Sequence, residues 1–536
     1  PGSDTAIMMG MAHTLIKEGL HDAEFLTKYT VGFDRVEAYL MGTEDGVPKD
    51  AKWASAQSGI NAETIEKLAR EAASRRTMLT LAAGLQRADF GEQPVWMVVT
   101  LAAILGQIGL PGGGCMVGSA VNGNVGNIER SFRAGTIPQG TNPVNDFIPV
   151  AMISEMLLKP GESYEYDGQQ RTFPNIKFVW WAGGNPFHHH QDLNRLRKAF
   201  QTPETVIVNE INWTATARHA DIVLPVSSTL ERNDFGAGRS DNGLVPMPAA
   251  IDPLYQSRTE FDIYASISER LDKFDEFTDG KDENAWLEEL WEQTRKKGKD
   301  VGMELPQWSE FIAGDVVETP DPSPDQVFLA DFRLDPDKNA LPTQSGRIEL
   351  FCEKIAGFGL DDCHGHASYF EPRDLAAGLK DKYPLFLISG QPATRLHSQF
   401  DNGERSIQHK IKEREPVFLN TDDAKERRIQ NGDVVELFNE RGACLAGAVV
   451  FDDIAKGCVF LWTGAWYDPD FGAELDRDNH GNPNVLTHDL RTSTLTQSPA
   501  AHSALIEIRK FEGELRKITC HDQPEFVLGQ DDLEQS

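Results

Sequence analysis

The sequence predicts α/β units followed by a C-terminal β-barrel, and two stretches carry that prediction. In the first, Phe178-Val-Trp-Trp181, Thr205-Val-Ile-Val208 and Asp221-Ile-Val-Leu-Pro225 read as buried strands. Gly183-Gly-Asn-Pro186 stops the first run in a tight loop, after which Leu193, Leu196 and Phe200 share one helical face. Strand, glycine loop, helix and strand make a doubly wound sheet, whose ligands sit at the carboxyl ends of its strands. Such glycines let backbone approach a ligand, and a helix N-terminus just beyond them suits an anion. The second stretch starts at Tyr383. Pro384 to Ser389, Val417 to Leu419, Asp433 to Phe438, Ala443 to Val450 and Cys458 to Trp462 are short apolar or alternating runs. Asn439-Glu-Arg-Gly442 reads as a hairpin turn, and strands so closely spaced predict a small barrel.

The remaining elements follow in order. Asp4-Thr5 is placed to cap a helix through Met8, Met11 and Leu15, and Ala62 to Ala73 is a second helix. Met78-Leu-Thr-Leu81 reads as a short buried strand, left at its carboxyl end by Gly84-Leu85-Gln86-Arg87. Val95 to Leu110 is a buried helix, too short and too interrupted by Gln107 and glycine to span a bilayer. The Gly- and Asn-rich run from Gly118 to Asn127 is a loop long enough to be functional. From Asp275 to Asp374 the chain is acidic and dotted with proline, with Trp286 to Trp291 on an amphipathic helix. Glu318 to Asp325 is a linker or surface loop, and no chemistry is legible in that region. The expected divisions are residues 1–170, 171–270, 271–380 and 381–536.

At 536 residues the chain holds two to four domains, with 40% hydrophobic and 25% charged residues, as in ordinary soluble proteins. Its net charge of −31 argues against nucleic acid or an anionic membrane surface as partner. Six scattered cysteines contain no C-x-x-C pair, which argues against a zinc ribbon or an iron–sulfur cluster held by this chain. Cys363-His364-Gly365-His366 lacks a second ligand pair at knuckle spacing. Pro1-Gly-Ser-Asp-Thr-Ala carries no initiator Met or signal-like run, and reads as the interior of something longer.

Trp181-Ala-Gly-Gly-Asn-Pro-Phe-His-His-His-Gln-Asp-Leu-Asn-Arg-Leu196, Trp213 to Pro225 and Leu230-Glu-Arg-Asn-Asp234 resemble one family closely. It is the dimethyl sulfoxide reductase family of molybdopterin oxidoreductases, in its biotin sulfoxide and trimethylamine N-oxide reductase branch. The resemblance implies a molybdenum held by bis(molybdopterin guanine dinucleotide), two α/β domains each taking one dinucleotide, and a barrel closing over both. It covers nearly all of this chain but only the later two thirds of the family pattern. The portion expected to supply the molybdenum-ligating Ser has no counterpart here, so no metal ligand is assigned. An isolated chain of this extent is expected to be inactive and poorly soluble.

By the same resemblance, Asn185 and His189 belong to the guanine-dinucleotide loop, and Asn209 and Glu210 bind ribose hydroxyls or guanine edges. Arg232 lies near phosphate or guanine, and Asp262 accepts from guanine N1 and N2. Ser389, Gly390, Gln391, Arg395, Leu396 and His397 match the pterin-contacting strand and loop. Asn484 and Gln497 match later pterin-facing positions, and Thr463-Gly-Ala-Trp-Tyr-Asp-Pro469 lies close to the cofactor. Gly84, Leu85 and Arg87, with Gly91-Glu-Gln93, match the segment that lines the substrate funnel, where Arg87 is expected to bind a substrate oxygen or carboxylate. Ala83 stands where many relatives carry Trp, which leaves substrate identity open.

The implied reaction removes oxygen from an S-oxide or N-oxide by transfer to Mo(IV). An external donor, a cytochrome or a thioredoxin-like protein, restores two electrons. The compartment implied is the periplasm, with the cytoplasm as alternative. Taken singly, the residues have plainer readings. His188 to His190 would be a solvated turn, Asp262 a cap for Ile263 to Leu271, and Trp180, Trp181 and Trp213 core residues. A second function class also stays open: a non-catalytic subunit that binds the guanine dinucleotide or a partner chain.

Overall fold

A computed structural model describes residues 1–117, 132–238, 243–319, 327–471 and 476–525. The predicted loop at Gly118 to Asn127 lies outside the described residues.

The first unit packs α1 (Asp4–Lys17) against α2 (Ala62–Ser74) and α3 (Glu92–Ile104). Asp4 and Thr5 do not cap α1; Ser3 occupies that position without a side-chain bond, and Asp4 lies inside the first turn. There its charge complements the helix dipole. Helix α2 takes its cap from Asn61, whose side chain accepts from the Glu63 N–H. Strand β1 (Met78–Leu81) pairs in parallel with β2 (Gly114–Val117), Met78 opposite Gly114 and Leu81 opposite Val117. The strand expected to be buried is covered on one face only. Its pleat turns Leu79 and Leu81 into the helical core with Cys115, while Met78 and Met116 face out.

The second unit is a three-stranded parallel sheet of β3 (Phe178–Ala182), β4 (Thr205–Glu210) and β5 (Ile222–Pro225), with β4 central. Helix α4 (Leu193–Ala199) buries Leu193 and Leu196 fully, as its spacing predicts. Val206 and Val208 on β4 are buried, but the flanking strands leave Phe178 53% and Ile222 45% exposed. Burial on both faces therefore holds only for the middle strand. Helix α5 (Glu260–Arg270) begins at Thr259, whose hydroxyl accepts from the Asp262 N–H. Asp262 is thus inside the helix rather than its cap, because the threonine three residues earlier takes that role.

The acidic region contains α6 (Glu283–Asp300), which buries Trp286, Leu287, Leu290 and Trp291 on one side. Trp291 stacks on Phe311 at 3.6 Å, beside Phe235 of β6 (Asp234–Gly236). β6 pairs antiparallel with β7 (Gly243–Met247).

The C-terminal barrel has six strands: β8 (Leu385–Ile388), β9 (Pro416–Leu419), β10 (Val434–Phe438), β11 (Ala443–Val450), β12 (Cys458–Leu461) and β13 (Leu505–Lys510). They run in the order β9-β12-β8-β13-β10-β11, and β11 returns to β9 with Pro416 opposite Gly447. Closure removes the open edge. The predicted hairpin joins β10 to β11, with the Asn439 N–H donating to the Gly442 carbonyl at 3.1 Å. Strand β13 was not read from the sequence. Barrel residues Val417, Leu437, Val459 and Ile506 share one apolar cluster with Leu193, Leu196, Val206 and Val208. That shared core fixes the barrel against the end of the second unit. Among the described residues, no helix is long and apolar enough to cross a membrane.

Candidate cofactor cleft

The glycine loop leaves β3 with Gly183 at φ +68° and Gly184 at φ +83°, backbone that favours glycine. Pro186 then opens a single helical turn, Pro186–His189. The Asn185 N–H donates to His189 Nε2 at 3.2 Å, and the Asn185 amide donates to Glu210 Oε2 at 3.2 Å. Thr214 reinforces Glu210 at 3.0 Å, and the Thr216 hydroxyl donates to Asn185 Oδ1. Asn185, His189 and Glu210 therefore converge where the strands end. Asn209, one residue earlier on β4, points to the other face. It accepts from Trp180 Nε1 at 2.9 Å and donates to the Tyr264 hydroxyl at 3.0 Å, so its amide is already engaged.

Across from this loop, Ala83 to Arg87 form a 3₁₀ turn at the end of β1 that carries Gly84 and Leu85. A Cβ added at Gly84 would meet open space. The Arg87 carbonyl accepts from the Ala501 N–H at 2.7 Å and the His502 N–H at 3.1 Å, tying the first unit to the barrel. Burial alone lowers the Arg87 pKa, and its charge acts on His189, His190 and His502. His189 is also influenced by His397. His397 itself, at φ +50°, is clamped by Gln391: its N–H donates to Oε1 at 2.9 Å, and the Gln391 amide meets Nδ1 at 2.7 Å. Gln391, Leu396 and His397 are all exposed.

Around this junction, buried polar atoms stand unpaired among the described residues. They are His188 Nδ1, His190 Nε2, Gln191 Oε1, Ser389 Oγ, Gln497 Oε1 and His502 Nδ1. Buried donors and acceptors are nearly always paired, so this set fits a polar ligand rich in complementary donors and acceptors. His188 and His190 are buried, not the solvated turn their sequence suggests; only His189 is exposed. Burial pushes His188 down to about 3 and His190 to about 4. Burial, then Arg87, pushes His502 to about 4. A histidine whose folded pKa is depressed stabilises the fold least where the unfolded state binds the extra proton. The contribution of these three is therefore intact above pH ~6.5 and lost as pH falls toward about 4. Histidine NMR should find all three rings neutral at pH ~5.5, between the unfolded and folded values; protonated rings there would contradict their burial.

The Molybdopterin oxidoreductase family model matches residues 1–270, and the Molydopterin dinucleotide binding domain model matches residues 385–505. The chain belongs to the molybdopterin oxidoreductase family. It is 41% identical to the trimethylamine-N-oxide reductase of Haemophilus influenzae over 98% of this chain and 66% of that protein. It is 42% identical to the dimethyl sulfoxide/trimethylamine N-oxide reductase of Rhodobacter capsulatus, over 97% and 65%. Identity to the biotin sulfoxide reductase of Cereibacter sphaeroides is 44%, over 96% and 69%. The chain thus spans about two thirds of the length of these relatives. Among solved structures, acetylene hydratase from Pelobacter acetylenicus shares the fold with a TM-score of 0.63. That match has 16% identity and covers 95% of this chain and 70% of that one.

Membership of the molybdopterin oxidoreductases implies a molybdenum–molybdopterin cofactor, and the unpaired buried atoms fit one. The residues marked from sequence divide into those at the cleft and those behind it. Asn484 donates to the His188 carbonyl at 3.1 Å, so it holds the histidine run in place. Gln497, at φ +54°, donates to the Glu165 carbonyl at 2.6 Å and leaves Oε1 free. Gly390 accepts from the Thr463 N–H at 3.0 Å, and its missing side chain accommodates the Phe460 ring. Arg395 faces away from the cleft. Its guanidinium, 1% exposed, is consumed by Glu415, Ser406, Asp401 and the Thr463 carbonyl. Arg232 pairs with Asp234, and both, with Asp262, act on Glu283 at the start of α6. This second cluster includes a residue from the stretch in which the sequence showed no chemistry. His190, His502 and Glu283 were missed for one reason: their significance lies in partners distant along the chain. The repeated histidines were the only local signal.

Proposed function

We propose that the protein carrying this chain reduces S-oxides or N-oxides, using molybdenum held by two molybdopterin guanine dinucleotides. The observation that carries the reading is Arg87: a part-buried cation whose carbonyl holds Ala501 and His502 at the junction of the first unit and the barrel, and whose charge acts on His189, His190 and His502. When bound, the cofactor supplies oxygen-atom acceptance and two-electron chemistry. The chain's own residues hold and orient. Asn185, His189, Gln391, His397 and the free Gln497 Oε1 offer the mixed donors and acceptors that pterins and phosphates need. Glu210 at one end, and Arg232, Asp262 and Glu283 at the other cluster, suit guanine, whose N1 and N2 donors pair with a carboxylate. Arg87 donates N–H to the oxide oxygen, where the S–O or N–O dipole concentrates negative charge. Because His190 and His502 stay neutral, Arg87 is the local cation on which a substrate oxygen orients. The relatives' names support the substrate class, and an external cytochrome or thioredoxin-like protein fits as electron donor.

The test begins with molybdenum content and the nucleotide released by acid hydrolysis, where guanosine monophosphate in a 2:1 ratio to metal is expected. Oxidation of reduced viologen by trimethylamine N-oxide, dimethyl sulfoxide and biotin sulfoxide then reads activity. Arg87→Ala should keep its molybdenum but raise KM for the oxide roughly 10- to 100-fold, the worth of one charge-assisted hydrogen bond. Unchanged KM for every oxide would remove Arg87 from substrate binding. A protein with no molybdenum would instead favour the non-catalytic subunit.

A further inference from the structure

We propose that His480, Cys520 and His521 bind a zinc-type divalent cation, behind Trp466 and the histidine run of the cofactor cleft. Their ligand atoms all lie within 4.8 Å of one another. Tetrahedral zinc, with bonds of roughly 2.0–2.3 Å, holds its ligand atoms roughly 3.3–3.7 Å apart, so small side-chain rotations close the set. Two imidazoles and one thiolate are a donor set that zinc favours over calcium or magnesium.

His480 meets Cys520 through Nδ1, 3.3 Å from Sγ. His480 is fully buried, yet its Nε2 has no hydrogen-bond partner among the described residues. Its Nδ1 lies 2.9 Å from the Trp466 carbonyl. The same nitrogen lies 3.7 Å from Asp401 Oδ2, so Nδ1 is the atom that faces the cluster; with a cation bound there, the ring proton sits on Nε2. Asp401 supplies the accompanying carboxylate: its Oδ2 is 3.1 Å from His521 Nε2 and accepts from the Trp466 N–H at 3.1 Å. Lys410, 2.8 Å from Asp401 Oδ1, and Arg395 are balanced by Asp401 and Glu415, while Asp468 and Asp478 also act on Cys520. Binding replaces the Cys520 S–H bond with an S–metal bond and releases one proton to solvent. His521, the one ligand with some exposure, opens the fourth position to water. The site would staple the chain's late segment to the loops at Asp401 and His480. It would also steady Trp466, whose ring stacks on His188 at 5.3 Å.

The whole protein that carries this chain, loaded with its cofactor, is stripped of divalent metal with a chelator and titrated separately with Zn²⁺ and Co²⁺, the cobalt spectra being read as differences. One equivalent should bind, and Co²⁺ should show thiolate charge-transfer and tetrahedral ligand-field bands. Cys520→Ser should lose the charge-transfer band while Cys352→Ser, at a partly exposed thiol, keeps it. On the unsubstituted chain, Zn²⁺ should protect Cys520 from alkylation, located by peptide mass spectrometry, so the test survives a variant that misfolds. No bound equivalent, a band that persists without Cys520, or protection at another cysteine would each overturn the site.

Discussion

Gly464→Ala is expected to destabilise the chain by about 3–5 kcal/mol and to loosen the loop that presents His397. Gly464 sits at φ +87°, and a Cβ there would lie 2.1 Å from the His397 carbonyl oxygen and 2.4 Å from its carbon. Both neighbours are backbone, so no side chain can rotate away. The left-handed conformation adds ~1–2 kcal/mol for any residue with a Cβ. His397 already carries a positive φ; Gln391 holds its N–H and ring, and Arg395 Nε donates to its carbonyl at 3.1 Å. Relief of the clash must therefore come from moving the exposed Gln391–His397 clamp, a part of the proposed pterin contact. Gly183→Ala is the control. At φ +68° its added Cβ meets nothing within 4 Å, so only the conformational cost of ~1–2 kcal/mol remains. Urea unfolding of the two variants should separate clearly, with the Gly464 midpoint the lower. Coincident midpoints would mean that the close approach at Gly464 is not a constraint.

Arg395→Leu should cost a similar amount, about 3–5 kcal/mol, through charge rather than shape. Arg395, Asp401, Lys410 and Glu415 form a buried quartet of two cations and two anions, each side chain 0–3% exposed. Lys410 reaches Asp401 at 2.8 Å and Glu415 at 2.7 Å, and Arg395 reaches Glu415 at 3.2 Å. Removing one cation leaves two buried carboxylates facing a single ammonium. The penalty is that of an uncompensated charge, so removing Glu415 as well should recover part of it. Equilibrium unfolding of Arg395→Leu, Glu415→Leu and the double variant measures this directly. A double variant as unstable as the sum of the singles would show that the pair does not act as a unit. Because Arg395 also holds the His397 and Thr463 carbonyls, the Arg395 variant should weaken cofactor retention without touching the cofactor.

The two residues illustrate how differently parts of the site are written in the chain. Gly183, Gly184, Asn185 and His189 are contiguous, and their loop follows from a strand that stops at two glycines. The helix face of Leu193 and Leu196 follows from spacing, and the short strands after Tyr383 follow from alternation between turn residues. Arg395 had no such local evidence. Its motif suggested a ligand contact, whereas burial beside Asp401 and Glu415 turned it into a support. Asn209 and Glu210 are neighbours with opposite outcomes, since the strand pleat sends one toward Tyr264 and the other toward Asn185.

The sequence by itself determined the α/β units, the barrel, the family and the glycine loop at the strand ends, because those depend on periodicity and adjacent residues. Tertiary structure decided the closing strand Leu505–Lys510, the meeting of Arg87 with His502, and the grouping of Arg232, Asp262 and Glu283. Only tertiary structure, too, set His480 beside Cys520 and His521. Those arrangements join positions tens to hundreds of residues apart. The shared core of barrel and second unit sets their distances, and no local pattern encodes such a distance.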